Sequence, residues 1–412
     1  MPELPNYLPR LAQMHKLRAF AAVARHGNVH RASEALHLSQ PSVTRAVRQL
    51  EMSLGTLLFE RTTKGMRLTA AGDCAYRRVE RALEALRAAG SDILRRAVPG
   101  RHRVPPTERL SETVTEAMLT ALVAVARSGS EKAAAAAVGV TQPALNRNLH
   151  LLEHLAGVPL FMRSGRGTQL TEPGELLLMH VKLALSEIRV ADEELVSLRG
   201  ELAGLLVVGA LPLSSGHLVP LATERTLRNH PGLNIRIVDG TYETLGHGLR
   251  CADVNLIVGA LRSDESEPYS IHEPLFDDTL SVVVRAQHPL LRQQNIGSLN
   301  RLREHEWVVP LAGTPSRVLF DGAFRAESVE PPNTQLEANS PSIVRTLLLS
   351  SDRLALVSHR QIQHELRQGI LVILPVEVKF ARRTIGIARL RNTEPSPGML
   401  ALLGALRAVS AE

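Results

Sequence analysis

The residues of this chain whose types and spacing suit chemistry lie at 39–51, Ser-Gln-Pro-Ser-Val-Thr-Arg-Ala-Val-Arg-Gln-Leu-Glu. Ser39 is a natural helix N-cap, and Gln40 and Pro41 follow as the first helical positions, with the proline φ already set for entry. Val43, Val47 and Leu50 then fall on one face at helical spacing, which turns Ser42, Thr44, Arg45 and Arg48 to the other. Hydroxyls and amides in a first helical turn can hydrogen-bond base edges and phosphates, and arginines neutralise phosphate or grip guanine. The chemistry on offer is recognition of double-stranded DNA rather than bond breaking. An ordinary solvated helix has the same composition, so the neighbouring elements decide between the two.

Bond-breaking chemistry finds little support. His26, His30 and His37 have no cysteine or carboxylate placed to complete a site, so no metal is expected. Gly246-His247-Gly248 lacks the strand–turn–helix setting of a phosphate loop, and no Gly-x-Ser-x-Gly elbow occurs. Cys251 has no supporting base nearby in sequence, and no acid–base pair or cofactor loop stands out. The expectation is a protein that is not an enzyme and needs no cofactor.

The elements that must position the 39–51 helix are legible on both sides of it. Leu17, Phe20, Ala21, Val23 and Ala24 make a first apolar helix ending near Gly27. A second, roughly Val29 to His37, turns Ala32, Ala35 and Leu36 inward, small enough for the next helix to cross closely, as a helix-turn-helix requires. Downstream, Leu57–Arg61 and Met66–Thr69 flank Thr62-Thr63-Lys64-Gly65 as a short wing, with Arg61 and Lys64 as further phosphate contacts. Thr69-Ala70-Ala71-Gly72 opens a long helix to about Leu94. The ordered set Ala32…Ala35-Leu36, Ser39-Gln40-Pro41-Ser42-Val43-Thr44-Arg45, Leu50-Glu51, Leu54-Gly55, Leu58-Phe59-Glu60-Arg61 and Leu68-Thr69-Ala70-Ala71-Gly72 resembles the N-terminal domain of LysR-type transcriptional regulators. That resemblance implies DNA binding by dimers or tetramers of winged helices and a C-terminal effector domain shaped like a periplasmic binding protein.

At 412 residues, length alone suggests about three domains. Aromatic residues are only 3%, so the cores must rest on Leu, Val, Ala and Ile. Cys74 and Cys251 cannot build a scaffold of several bridges, the start of the chain lacks the basic and apolar regions of a signal peptide, and no apolar run spans a membrane. A reduced, cytoplasmic setting without a membrane partner is the expectation. The net charge of +7 is unevenly placed: residues 1–100 hold 16 Lys+Arg against 8 Asp+Glu, whereas residues 101–200 hold 11 of each. The excess positive charge sits where a phosphate-binding face is expected.

The chain also repeats itself. At an offset of 102, 22 of the 56 positions from 17 to 72 are identical, without a gap. Thr141-Gln142-Pro143 falls on Ser39-Gln40-Pro41, Arg147 on Arg45, Leu152-Glu153 on Leu50-Glu51, and Gly174 on Gly72. A second winged unit is therefore expected, joined to the first by a Pro-rich, extended connector around Val98–Pro106. Asn146 stands at the place of Thr44, His150 at Arg48 and Arg166 at Lys64. Gln142, Pro143, Asn146, Arg147 and Arg166 are its candidate DNA contacts, Asn146 being able to read adenine. With no net charge this unit is balanced between touching DNA and serving as a packing module. The helix after it, Glu172 to about Arg199, is apolar on more than one face and reads as a dimerising helix. For the Arg-rich helix after the first unit, a solvated face is set against contact with DNA backbone or with Glu193 and Glu194 of a partner.

From Leu205 short apolar strands alternate with helix-length segments, which predicts a parallel α/β sheet in two sets. Val208-Gly209-Ala210, His230-Pro231, Asp239-Gly240-Thr241-Tyr242-Glu243, Val258-Gly259-Ala260-Leu261-Arg262 and His288-Pro289-Leu290 resemble the galactose-binding-protein regulator branch of the same family. Ligands of open α/β sheets bind beyond the strand carboxyl ends, where helix N-termini offer amides. That rule selects Leu211, Ser214, Ser215, Arg262, Gly313, Thr314, Asn339, Ser340 and Ser358. The hydroxyls among them serve equally well as caps, and Arg262 is the candidate for a carboxylate, with a surface ion pair to Asp264 or Glu265 as the other reading.

The expected architecture is an all-α N-terminal part plus α/β: two tandem winged helix-turn-helix units followed by a two-lobed, periplasmic-binding-protein-like effector domain. The expected division is 1–97, a linker at 98–110, 111–200, and 201–412, with lobe 1 about 201–277 and 377–412 and lobe 2 about 278–376. The partners implied are double-stranded DNA, a small acidic or hydroxylated effector (a sugar or an aromatic acid among the candidates), further copies of the chain as homodimer or homotetramer, and RNA polymerase. The reading from another class is a small-molecule sensor or solute-binding protein whose N-terminal units serve assembly; the charge asymmetry favours the regulator.

Overall fold

The computed structural model describes residues 13–63, 65–97, 108–165, 167–212, 214, 216–262, 268–293, 296–333 and 335–412. Lys64, Arg166, Ser215 and the connector around Val98–Pro106 lie outside the described residues, as do Asp264 and Glu265. The chain forms two compact units, one running to Gly204 and taking in Cys251–Asp253, the other built from Leu205–Arg250 and Val254–Glu412.

In the first unit the order is α1 (Met14–His26), α2 (Val29–Ala35), α3 (Gln40–Leu54), β1 (Phe59–Thr62), β2 (Gly65–Leu68) and α4 (Ala70–Ala97). A short α5 (Glu108–Thr113) leads into the same series again: α6 (Glu116–Ser128), α7 (Glu131–Val138), α8 (Gln142–Ala156), β3 (Phe161–Ser164), β4 (Gly167–Leu170) and α9 (Glu172–Ser197). Ser39 caps α3 by accepting the Ser42 N–H at 3.3 Å, and Thr141 caps α8 by accepting the Ala144 N–H at 3.4 Å. On α2 the inward face is centred between Ala32 and Ser33. Ala35, expected inside, is exposed, and Ser33 takes its place with its hydroxyl on the His30 carbonyl at 2.7 Å.

Two glycines show why the wing sits where it does. A Cβ at Gly72 would lie 2.0 Å from the Leu58 carbonyl oxygen, and one at Gly174 2.1 Å from that of Leu160. The long helix can therefore start against the wing only without a side chain at that position. In the same joint Glu51 accepts the Leu58 and Phe59 N–H groups at 2.8 and 3.2 Å, and Glu153 accepts those of Leu160 and Phe161 at 2.9 and 3.2 Å.

α4 and α9 pack along their lengths in antiparallel sense. Val79, Leu86 and Ile93 of α4 and Val181, Ile188 and Leu195 of α9 are buried in one core with α1 and α3. The stripe of α9 that holds Val181, Ile188 and Leu195, read from the sequence as a surface for a second chain, packs here on α4 of the same chain. Ala75, Ala82 and Ala89 make α4 thin enough on that face to allow it. Arg78 enters the same interface and is met by Glu187 and Glu194.

The second unit contains β5 (Gly204–Ala210), α10 (Leu218–Asn229), β6 (Leu233–Asp239), α11 (Tyr242–Arg250), β7 (Leu256–Ala260), β8 (Ser270–Arg285) and β9 (Trp307–Val308). α12 (Pro315–Arg325), α13 (Pro341–Ser350), β10 (Leu354–Ser358), α14 (Gln363–Arg367), β11 (Leu371–Ile373), β12 (Arg382–Leu390) and α15 (Pro397–Ala411) complete it. The strand order is β6-β5-β7-β12-β8-β10-β9, with β11 also on β8. β5 runs parallel to β7 and β9 to β10, but β12 is antiparallel to β7 and β8, and β8 antiparallel to β10 and β11. The expected all-parallel sheet is thus mixed, because the long strand β8 and the returning β12 carry the chain between two lobes. One core gathers Leu206, Val258, Ile387 and Leu402; the other gathers Leu280, Leu354 and Trp307, whose ring lies 5.4 Å from both Phe320 and Phe324.

Candidate nucleic-acid interface and effector cleft

α3 is held from behind by Val43, Val47 and Leu50, all buried, and this fixes which side chains it can show. Ser39, Gln40, Pro41, Ser42, Thr44, Arg45 and Arg48 are exposed on one side. Gln40, Pro41, Thr44, Arg45 and Arg48 line a single shallow concavity. The Gln40 amide is steadied by the His30 ring at 3.1 Å. Among the described residues Arg45, Arg48 and the wing's Arg61 form no ion pair, so three cations face outward without an internal carboxylate. Their neighbour Arg67 is paired with Glu60 at 2.8 Å.

α8 shows a different face on the same frame. Gln142, Pro143 and Arg147 are exposed as their counterparts are, but Ala144 replaces Ser42 and His150 lies 3.4 Å from Glu153. Asn146 is half-buried, and its Oδ1 is enclosed without a hydrogen-bond partner among the described residues. On the wing, Arg163 is tied to Glu131 at 2.9 Å, a pairing the first copy lacks because Val29 stands at the place of Glu131. Among the described residues one arginine without an ion pair, Arg147, remains on the α8 face where the α3 face has two.

In the α/β unit the selected residues do gather at strand ends, in two groups. Leu211 and Arg262 follow the adjacent parallel strands β5 and β7. The Arg262 guanidinium stacks on the Tyr242 ring at 4.0 Å and meets no acidic partner among the described residues. Gly313, Thr314, Asn339 and Ser340 gather beyond β9: the Asn339 side-chain carbonyl accepts the Leu311 N–H at 3.0 Å, and Thr314 and Ser340 stand at the starts of α12 and α13. Ser358 ends β10, and the Gln361 amide just after it donates to the Pro212 carbonyl of the other group at 3.4 Å.

The hydroxyls divide into committed and uncommitted ones. Ser214 is buried and donates to the Leu211 and Val258 carbonyls. Thr314 donates to the Leu311 carbonyl at 2.7 Å while capping α12. Ser358 is buried and donates to the Asp278 carboxylate. Ser340 makes no cap bond and only meets Ser342, at 2.9 Å.

Sequence reading missed the polar knot below these ends. Asp278 of β8 is buried against Arg383 of β12 at 3.1 Å, and Arg383 reaches on to the Ser316 hydroxyl at 3.0 Å. Desolvation draws the Arg383 pKa below its usual value, with Asp278 opposing. Nothing local marks this pair, since its members lie 105 residues apart.

A family model described as a bacterial regulatory helix-turn-helix protein of the lysR family matches the chain twice, over residues 14–73 and 117–175. A second model, the LysR substrate binding domain, matches residues 199–411. The HTH-type transcriptional regulator GalR of Pseudomonas putida is 34% identical over 410 residues, covering all of this chain and 98% of that relative. Among solved structures, a full-length OxyR variant from Pseudomonas aeruginosa aligns with a TM-score of 0.56 at 23% identity, covering 71% of this chain and 94% of its own. CbnR complexed with its target DNA aligns with a TM-score of 0.52 at 19% identity, covering 71% of this chain and 98% of its own. Both share the fold.

Proposed function

The chain belongs to the lysR family of bacterial transcriptional regulators, and we propose that α3 carries the specific part of its DNA contact while a small acidic or hydroxylated metabolite in the α/β cleft adjusts it. DNA binding with effector control is the activity of this family. The observation that carries the assignment to α3 is its outward face: Gln40, Thr44, Arg45 and Arg48 around one concavity, the two arginines without an ion pair among the described residues, in the hundred residues that hold the excess positive charge. Ser39, Pro41, Ser42, Arg61 and Lys64 are assigned to the same contact. Gln142, Pro143, Asn146, Arg147 and Arg166 are assigned to a weaker one. For the effector, Arg262, which meets no acidic partner among the described residues, and the amide-rich starts of α12 and α13 favour an anion or a polyol, which a sugar or an aromatic acid would satisfy. We place the protein in the cytoplasm as a homodimer or homotetramer, with RNA polymerase as a further partner. Among the described residues no helix is long and apolar enough to cross a membrane.

Selection of bound fragments from a DNA library with purified protein, followed by fluorescence anisotropy, tests the reading. Arg45→Ala is expected to lose about 1–3 kcal/mol on the selected site, and parent affinity to fall steeply with salt. A parent that enriches no fragment, or an Arg45→Ala variant that binds as the parent does, would remove α3 from this role.

A further inference from the structure

The offset of 102 and the packing of α4 on α9 obey one rule. Residue 78 corresponds to 180, and 92 to 194. Arg78 Nε lies 2.9 Å from Glu194, and His180 Nε2 lies 3.0 Å from Asp92. The contact between positions 78 and 92 is thus made twice, once in each direction, with a basic side chain at the first and an acidic one at the second both times. Position 85 repeats the pattern, because Glu187 corresponds to Ala85. Arg78 reaches Glu187 at 2.9 Å, and His180 is hydrogen-bonded to the Ala85 backbone. In the apolar layer Val79, Leu86 and Ile93 correspond to Val181, Ile188 and Leu195, and all six are buried. Residue i meeting j while j meets i is the signature of a two-fold, isologous interface, which ordinarily joins two identical subunits. Here both sides of it belong to one chain.

We propose that a single chain reads two half-sites of one operator, α3 engaging one and α8 the other, and that the half-sites are unlike. This rests on the DNA-binding reading above. Arg45 and Arg147 occupy equivalent, exposed places and would make the same contact in each half, whereas Ser42 against Ala144, Thr44 against Asn146 and Arg48 against His150 present different groups to the bases. The enclosed Asn146 Oδ1 is a polar atom that an outward turn onto a base edge would satisfy. A homodimer of ordinary subunits fits a palindrome by its symmetry. A covalent pair with two different faces instead fixes a direction on the DNA, and it has no need of a second chain to complete the pair.

The test uses the full chain on its selected DNA fragment, with native mass spectrometry for the number of chains bound and hydroxyl-radical footprinting for the half-sites. Two protected half-sites per bound chain are expected. Arg45→Ala should weaken protection at one of them, with affinity down roughly 5- to 150-fold, and Arg147→Ala should weaken protection at the other by about 3-fold or more. Replacing the weaker half-site by an inverted copy of the stronger should lower affinity. One half-site per chain, loss of the same half-site in both variants, or tighter binding to that palindrome would overturn the proposal while leaving DNA binding intact. A parent with no salt-sensitive affinity for any fragment would overturn the DNA-binding reading and this proposal with it.

Discussion

Arg78 shows how much one side chain decides in this fold. It is buried between α4 and α9 with Glu187 and Glu194 as partners, and the Cys74 thiol adds a hydrogen bond to Glu194 at 2.8 Å. Burial together with that carboxylate pushes the Cys74 pKa up to about 12, so the thiol stays protonated and unreactive. Removing the guanidinium would take a buried counter-charge away from both Glu187 and Glu194. Arg78→Met should therefore destabilise the protein by about 3–5 kcal/mol in urea unfolding, while the triple variant Arg78→Met, Glu187→Leu, Glu194→Leu should return close to the parent. A mild effect of the single change would mean that the cluster is hydrated. The glycine at the wing joint makes a separate claim of the same kind. Gly72→Ala puts a methyl on the Leu58 carbonyl and should cost about 1–3 kcal/mol, with Gly174→Ala similar in the second copy. Among the residues identical in the two copies are such joints, Glu51 with Glu153 and Gly72 with Gly174. The outward positions 42, 44 and 48 vary between the copies while the outward Gln40, Pro41 and Arg45 recur as Gln142, Pro143 and Arg147, so the motif joins residues that hold the reading face with residues shown on it.

At the scale of elements, α9 was legible and its partner was not. Its leucines and valines mark a helix that must be covered, but α4 hides the matching stripe behind small residues. Ala75, Ala82 and Ala89 contribute little hydropathy, and Arg78 in the middle of them looks like a solvated face. Only the identity of the two copies, read together with antiparallel packing, tells that one stripe fits the other. The sequence offers Glu194 to the arginines of this helix only as a residue of a partner chain; the pairing exists and lies within one chain. The reciprocal site carries a pH dependence. Burial pulls the His180 pKa below the ordinary 6.5, against Asp92 of the opposite helix and the Ala85 backbone, which pull it up. The native state therefore resists a proton that the unfolded chain accepts. Stability should be full above about pH 6.5 and fall as pH drops below it, by at most about 1.4 kcal/mol per pH unit, until the native imidazole itself protonates. Urea midpoints at pH 7.5 and 5.5 measure this. His180→Gln should shrink the difference, and an unchanged difference would assign it to other groups.

For the whole molecule, charge and alternation separated the DNA-binding part from the α/β part before any contact was known, and the strand-end rule placed the effector candidates on the edges they occupy. What stayed illegible was which of them are spent. Ser214 and Ser358 have hydroxyls turned to the Val258 carbonyl and to Asp278, partners distant in sequence, and Thr314 turns to the nearby Leu311 carbonyl, whereas among the described residues Arg262 meets no carboxylate and Ser340 meets only the Ser342 hydroxyl. Two variants should then behave in opposite ways. Ser358→Ala should chiefly destabilise the fold, by about 1–3 kcal/mol, because Asp278 loses a buried donor. Arg262→Ala should leave stability and ligand-free DNA affinity nearly unchanged but weaken the effector, and Arg262→Lys should not restore it if a carboxylate is held by two parallel bonds. The effector acts on transcription only through its difference in affinity between the DNA-bound and free forms, and that difference is reciprocal. Titration calorimetry with a series of sugar acids and aromatic carboxylates, with and without saturating operator DNA, measures both sides. A compound whose affinity changes with DNA by some factor must change DNA affinity by the same factor, and Arg262→Ala must reduce its binding in both titrations. Equal effector affinity in parent and variant would remove Arg262 from the cleft and leave the start of α13, with its uncapped Ser340, as the place where the anion is held.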